Sequence, residues 1–279
     1  MQFGNIQLDL ISDGLFRLDG GAMFGVVPKV LWQKLKPADE ANRILMGLNS
    51  LLIRTGEATV LVDTGIGDKF DARFAQMFAI DREKTLIDGL AEKGVTPEQV
   101  THVIMTHMHF DHIGWNTRRS AGGEVVPTFA NAVYYAQRGE FDVANAPDPR
   151  SRASYLAENW QPLERSGQLE LVEGSRELLP GIRCVVTGGH TANHTIITIE
   201  SGGKKACFLA DLVPTPAHLK TPWVMGYDLY PVDTMRLKDE ILRQAAEENW
   251  LLFFEHEPEQ RAGYLRIDGK NRELDGVEV

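Results

Sequence analysis

The sequence predicts an α/β protein in which short apolar strands alternate with amphipathic helices and carry polar residues to one set of strand ends. Three observations support this. Apolar, β-branched runs of strand length recur between segments of helical spacing. Five of these runs end on a lone polar residue: Asp63, His107, His190, Asp211 and His256. No low-complexity linker and no repeat of 20–50 residues divides the chain, so residues 1–279 are expected to form a single domain.

The elements follow in order. "SLLIRT" and "ATVLVDTG" flank a Gly-Glu turn and predict a hairpin that ends at Asp63. "DREKTLIDGLAEKGV" has helical spacing, an acidic start and Gly94 where a C-cap belongs. "QVTHVIMTH" predicts a buried strand that delivers His107. "IRCVVTGGH", "TIITIES", "KKACFLAD" and "NWLLFFEH" predict four more strands, with the amphipathic helix "DTMRLKDEILRQAAEEN" between the last two. Catalytic and binding groups collect where loops leave a rigid sheet, so converging strand ends would gather these polar residues.

Composition excludes several classes. A net charge of −10 leaves no basic footprint for nucleic acid. No run of 18 apolar residues predicts a membrane span, and "MQFGNIQLDLIS" lacks the basic and apolar regions of a secretory signal. Cys184 and Cys207 sit in apolar runs and read as buried thiols of a reducing compartment, so a cytoplasmic location is expected. "DTGIGDKF" has Phe70 where a dinucleotide fingerprint needs a third glycine, and no G-x-S-x-G elbow occurs.

The densest chemistry is "HMHFDH", with His107, His109, Asp111 and His112 in six positions of a chain that has eight histidines. His107 and His109 can share a side of an extended backbone, while Asp111 and His112 follow as the chain turns. This spacing offers two ligands to one metal ion and two to a neighbour. His190, Asp211 and His256 complete the set, with the Asp211 carboxylate able to bridge. Five imidazoles and two carboxylates suit two divalent ions, zinc first and iron, cobalt or manganese next.

Together, "VLVDTG", "THMHFDH", "GGHTANHT", "LAD" and "FEH" resemble, in order and spacing, the five motifs of the metallo-β-lactamase superfamily, from about residue 45 to 260. The resemblance implies a four-layer αββα sandwich with a dinuclear metal site at one edge. It assigns His107, His109 and His190 to the first ion and Asp111, His112 and His256 to the second. Asp211 is then the bridge, and Asp63 braces the histidine loop from behind.

Within that superfamily, "DGGAMFGVVPKVLW", the "ENW" at 158–160 and "ADLVPTPAHLKTPWVMGYDLYP" look like the quorum-quenching lactonases. That branch is similar to N-acyl-homoserine lactonases and, more distantly, to methyl parathion hydrolase. The resemblance implies that the N-terminal segment 1–44 contributes to pocket or homodimer contacts, with Phe24 or Trp32 touching the pocket or a second chain. The sequence departs from the better-studied lactonases at Pro214, where they carry a tyrosine that contacts the substrate carbonyl. Tyr227 and Tyr230, on the same loop, are candidates to replace it.

Two ions that share a water lower its pKa, and the hydroxide so formed would open a lactone or other ester to an acid and an alcohol. Asp111 is the expected proton shuttle. Met23, Phe24, Phe110, His218, Trp223, Tyr227 and Tyr230 are candidate pocket walls, with core packing as their competing role. Pro214, Pro216, Pro222 and Pro231 would stiffen the loop that holds most of them. His194 is expected to hydrogen-bond beneath the loop, and His102 to face solvent. The alternatives are an organophosphate or aryl ester hydrolase at the same metal pair and, from a different class, a non-catalytic metal-binding sensor.

Overall fold

The structure, a computed structural model, describes residues 1–269 and 271–279. Its first elements are β1 (Gln2–Phe3), β2 (Ile6–Asp19), α1 (Gly20–Phe24), α2 (Lys29–Trp32), β3 (Arg43–Arg54) and β4 (Thr59–Val62). There follow α3 (Ala72–Met77), α4 (Leu86–Glu92), β5 (His102–Ile104), a two-stranded ribbon of β6 (Thr117–Arg119) and β7 (Val125–Pro127), β8 (Val133–Gln137), α5 (Arg138–Asn145), α6 (Gln161–Ser166) and β9 (Leu169–Val172). The rest is β10 (Arg176–Leu179), β11 (Ile182–Val186), β12 (Thr195–Ser201), β13 (Lys204–Phe208), α7 (Pro231–Glu247), β14 (Leu251–Phe253), β15 (Ala262–Asp268) and β16 (Asn271–Gly276).

Two seven-stranded sheets result, one in the order β1-β2-β3-β4-β5-β8-β9 and one running from β10 to β16 in sequence order. The predicted hairpin is β3 and β4, paired antiparallel from Leu51↔Val62 to Arg54↔Thr59. From β4 onward the first sheet is parallel. Parallel neighbours need crossover connections, which α4 supplies before β5, and α5 and α6 before β9. In the second sheet β13 and β14 are the parallel pair, and α7 is their crossover.

Contacts group the chain into two compact units. The first comprises Met1–Gly14, Leu48–Met77 and Asp81–Gly174; the second comprises Leu15–Gly47, Phe78–Ile80 and Ser175–Val279. The core of the first packs Leu61, Val103 and Tyr134 from three neighbouring strands against Leu86 and Leu90 of α4, Ala144 of α5 and Leu163 of α6. The core of the second packs Ile196, Cys207 and Leu252 against Leu242 and Ala245 of α7. Both cysteines are buried free thiols.

Local chemistry explains the boundaries. Thr85 caps α4 in a capping box with Asp88, and Gly94 follows in the left-handed region at φ 71°, as its placement in the sequence predicted. The strand predicted over 99–107 is shorter, His102–Ile104. The Met105 amide still reaches the Tyr135 carbonyl at 3.0 Å, but the following donor, the Thr106 N–H, goes to the Asp63 side chain at 2.8 Å instead of a ladder carbonyl. His102 is half-buried, stacked on Tyr135 at 6.0 Å, and does not simply face solvent. No helix among the described residues is long and apolar enough to cross a membrane.

Candidate metal centre

In the first unit the chemistry begins where β4 ends. Asp63 is fully buried and held at φ 55°, a left-handed conformation that aspartate tolerates better than most residues. One carboxylate oxygen accepts the Thr106 N–H; the other accepts the Thr106 hydroxyl at 2.6 Å and meets His112 Nδ1 at 3.0 Å. The end of β4 therefore organises the loop that leaves β5, its parallel neighbour. The loop turns back on itself as the amides of His112 and Ile113 donate to the His109 carbonyl at 3.1 and 3.3 Å. It is then fastened to the chain after Asp63 by Thr64 N–H to His112 O and Gly114 N–H to Gly65 O, both 2.6 Å.

Gly114 has no substitute at this point, because a Cβ there would lie 2.0 Å from the Ile66 carbonyl carbon. The turn gathers three imidazoles, with the His107 ring 4.5 Å from His109 and 4.0 Å from His112. His107, Asp111 and His112 are buried and His109 is half-buried.

The second unit builds a separate constellation around Asp211, which lies just past β13. One Asp211 oxygen is 3.0 Å from His190 Nε2 and the other is 3.1 Å from His256 Nε2. Each of these imidazoles is anchored through its other nitrogen, His190 Nδ1 on Asp228 at 3.0 Å and His256 Nδ1 on the Gly47 carbonyl at 2.9 Å. The Asp211 amide donates to His194 Nε2 at 3.2 Å, and His194 Nδ1 meets the Thr187 hydroxyl at 2.7 Å. His194 is thus a hydrogen-bonding support beneath Asp211, with both ring nitrogens engaged. Pro214 offers its carbonyl to the His256 amide at 3.1 Å, so this position helps to set a ligand candidate through its backbone.

These arrangements fit metal ions by the chemistry of their donors. A histidine whose Nδ1–H donates to a carboxylate or carbonyl presents the Nε2 lone pair as ligand, and its partner fixes the ring. His112, His190 and His256 all have this form. The electrostatics agree. Burial opposes a charged His190, yet the Asp211 and Asp228 carboxylates outweigh it and raise its pKa to about 10. The field at that ring favours positive charge, which a cation supplies in place of the proton.

A model of the metallo-β-lactamase superfamily matches residues 45–256, which takes in every one of these side chains. The chain belongs to the metallo-β-lactamase superfamily. Its relatives include an N-acyl homoserine lactonase of Bacillus cereus, 28% identical over 227 residues, 76% of this chain and 82% of that one. Among solved structures, a "probable metal-dependent hydrolase" of Staphylococcus aureus is 36% identical with a TM-score of 0.91, covering 100% of both chains. The dizinc quorum-quenching lactonase AidC shares the fold at 20% identity, with a TM-score of 0.80 over 100% of this chain and 97% of its own. The fold class expected from the motifs is the one observed, with two large sheets and their helices.

The structure also locates the aromatic candidates. Met23, Phe24, His218 and Trp223 are all buried. Phe24 lies between rings, stacked on His218 at 4.5 Å and on Trp32 at 5.3 Å, with Trp223 edge-on at 5.7 Å. His218 spends its nitrogens on Thr215 Oγ1 and the Met23 carbonyl, both at 2.8 Å. This is core packing, and it corrects one expectation: Phe24 and Trp32, 0% and 1% exposed, present nothing to a second chain. The apolar surface of that segment is Val26, Val30, Leu31 and Leu35 instead. Phe110 packs edge-on against Phe74 at 5.2 Å, whereas Tyr227 and Tyr230 are exposed.

Two residues escaped sequence reasoning. Asp228 is 38 residues from the histidine it holds, and nothing in "GYDLYP" marks it. Tyr155 stands edge-on to His109 at 5.0 Å and donates its hydroxyl to the buried Glu140 at 2.9 Å. The outer carboxylates give a direct prediction. Asp63→Asn should weaken the binding of a divalent metal such as zinc by roughly 10–100-fold, because it weakens the acceptor that orients His112. Zinc titration against a competing chelator measures this, and unchanged affinity would remove Asp63 from the metal's support.

Proposed function

We propose that this protein hydrolyses lactones, N-acyl homoserine lactones first, at a pair of divalent metal ions, with zinc the first choice. On the resemblance of its motifs, His107, His109 and His190 would hold one ion, Asp111, His112 and His256 would hold the other, and Asp211 would serve both. The broader class is a metal-dependent hydrolase of the metallo-β-lactamase superfamily. The observation that carries the dinuclear reading is Asp211, whose two oxygens each address a different anchored imidazole. A carboxylate serving one ion needs only one such partner. The lactone preference is supported by relatives named N-acyl homoserine lactonases, matched over most of their length.

When bound, such ions acidify a water and polarise the carbonyl it attacks. The protein's own part is to hold the ligands in place before reaction, through Asp63, Asp228 and the Gly47 carbonyl. Asp111, a carboxylate beside the histidine cluster, takes up the proton and returns it to the departing alkoxide. The product of a lactone is then a hydroxy acid. The family model spans residues of both units, which supports treating the chain as one catalytic domain. A reducing cytoplasm suits the two buried thiols. A homodimer is part of the same reading, with Val26, Val30 and Leu31 as its surface, and a monomer in light scattering at micromolar concentration would remove it.

The test is elemental analysis joined to a substrate panel. Two ions per chain are expected, together with faster turnover of acyl homoserine lactones than of simple lactones, aryl esters or a phosphotriester. One ion or none in a fully loaded sample overturns the dinuclear site. A phosphotriester turned over faster than every lactone overturns the substrate class and leaves the metals standing.

A further inference from the structure

The buried face of α7 carries Thr234, Lys238, Leu242 and Ala245, a stripe at helical spacings of four, four and three with a lysine where an apolar residue belongs. Lys238 is 0% exposed, and the hydrogen bonds of its ammonium go to backbone. Its three N–H donors go to three backbone carbonyls of one loop: His218 at 3.0 Å, Lys220 at 3.0 Å and Trp223 at 2.7 Å. An ammonium has three donors and no acceptor, so this set uses all of them. Burial brings the Lys238 pKa down to about 7, against the pull of the Asp228 carboxylate.

The loop that Lys238 grips runs from Asp211 to Asp228, and both of its ends touch the ligand set. Near its start, the Pro214 carbonyl accepts the His256 amide at 3.1 Å. Near its end, Asp228 holds the Met225 amide with one oxygen at 3.2 Å and His190 Nδ1 with the other at 3.0 Å. Leu229 and Tyr230 then donate their amides to the His190 and Gly189 carbonyls at 3.1 and 2.8 Å. The middle of the loop has only short 3₁₀ turns and no strand ladder, so its buried carbonyls need donors from elsewhere. An apolar residue at 238 would leave the His218 and Trp223 carbonyls without one, while the Lys220 carbonyl would keep only the Trp223 amide at 3.0 Å.

We propose that Lys238 is a positioning residue for the metal centre: by clamping the carbonyls of His218, Lys220 and Trp223 it fixes the loop through which Asp211, His190 and His256 are set. This rests on the metal reading above. It acts through Asp228 at one end of the loop and Pro214 at the other, and it touches neither metal nor substrate. The coupling is reciprocal, because a residue that holds the ligands for the metal is itself held more firmly once the metal is bound.

The experiment compares zinc-loaded wild type with Lys238→Met, Lys238→Gln and Leu242→Ala, the last a core truncation on the same helix. Zinc loss to a chromogenic chelator is followed at a temperature where every variant is folded, and the visible spectrum of the cobalt(II)-substituted protein is recorded. Lys238→Met should release zinc about tenfold faster, in the range seen when outer supports of metal ligands are removed, with a shifted cobalt spectrum. Lys238→Gln, which keeps an amide donor, should fall between Lys238→Met and wild type. Leu242→Ala should be destabilised yet match wild type in both readouts. A Lys238→Met protein with wild-type release and spectrum overturns the proposal, as does Leu242→Ala changing in step with it.

If neither Lys238 variant folds, hydrogen exchange on the wild type decides. The amides of Trp223 and Met225 should exchange about tenfold more slowly with zinc than without it, and equal rates overturn the proposal. A wild type that binds no metal at all overturns the metal reading itself, an outcome separate from failure of the Lys238 clamp.

Discussion

If the chain is the dinuclear lactonase proposed above, Asp211→Asn is expected to lower the content of both metal ions together and to reduce kcat/KM on the best lactone by at least about three orders of magnitude, roughly 4 kcal/mol of transition-state stabilisation. The reason lies in the two oxygens. One is 3.0 Å from His190 Nε2 and the other 3.1 Å from His256 Nε2, so each serves a different ligand. Asparagine is nearly the same size but removes the negative charge and turns one oxygen into an N–H donor, which cannot ligate a cation. Metal ions contribute several kcal/mol of transition-state charge stabilisation in such hydrolases, so loss of both accounts for the magnitude. Elemental analysis and steady-state kinetics on the same preparation check it. If one ion remains and turnover persists, Asp211 serves a single ion and the bridge is wrong.

The second large effect concerns stability. Asp13→Ala should cost about 3–5 kcal/mol and lower the melting temperature by roughly 10 °C. Asp13 is 0% exposed. One oxygen accepts the Ile66 and Gly67 amides at 2.9 and 3.1 Å; the other accepts the Leu86 amide at 2.9 Å and Trp115 Nε1 at 2.6 Å. Arg82 approaches at 3.4 Å. One carboxylate therefore joins the loop after Asp63, the first turn of α4 and the indole three residues beyond His112.

Removing Asp13 strands four donors and takes the carboxylate away from Arg82, which keeps the Gly67 carbonyl. The loss is smaller than the sum of those bonds because burial already disfavours the charge, lifting the Asp13 pKa to about 6 against the pull of Arg82. Thermal unfolding at neutral pH measures the difference. A shift under about 2 °C would mean that water reaches these donors once the carboxylate is gone.

How much of the site was legible differs from residue to residue. His107, His109, Asp111 and His112 stand within six positions after an apolar strand, and their chemistry needs no tertiary information to be noticed. His190, Asp211 and His256 could be found because each ends an apolar run, which is a local signal. Asp228 and Lys238 carried none. An aspartate in a loop and a lysine in an amphipathic helix are ordinary, and only the folded chain puts one on His190 and the other on three carbonyls. Phe24 and Trp223 show the opposite case. Aromatics beside a Pro-rich loop suit a substrate wall as well as a core, and the choice depends on what packs against them, here His218 and Trp32 on the two faces of Phe24 and Trp223 at its edge.

The sequence by itself determined the hairpin ending at Asp63, the helix that stops at Gly94, the strands that carry His107, His190, Asp211 and His256, the helix between the last two of them, and the donor residues a metal would need. These follow from short-range rules, namely side-chain period, backbone preference at turns and the coordination chemistry of histidine and aspartate. Tertiary structure alone decided which carboxylate orients which imidazole, which aromatics are buried, and that β5 stops at Ile104 so that Asp63 can take the Thr106 amide. Those outcomes turn on single hydrogen bonds between residues tens of positions apart. No local pattern encodes such a bond, because it forms only after the chain has closed the loop between its two partners.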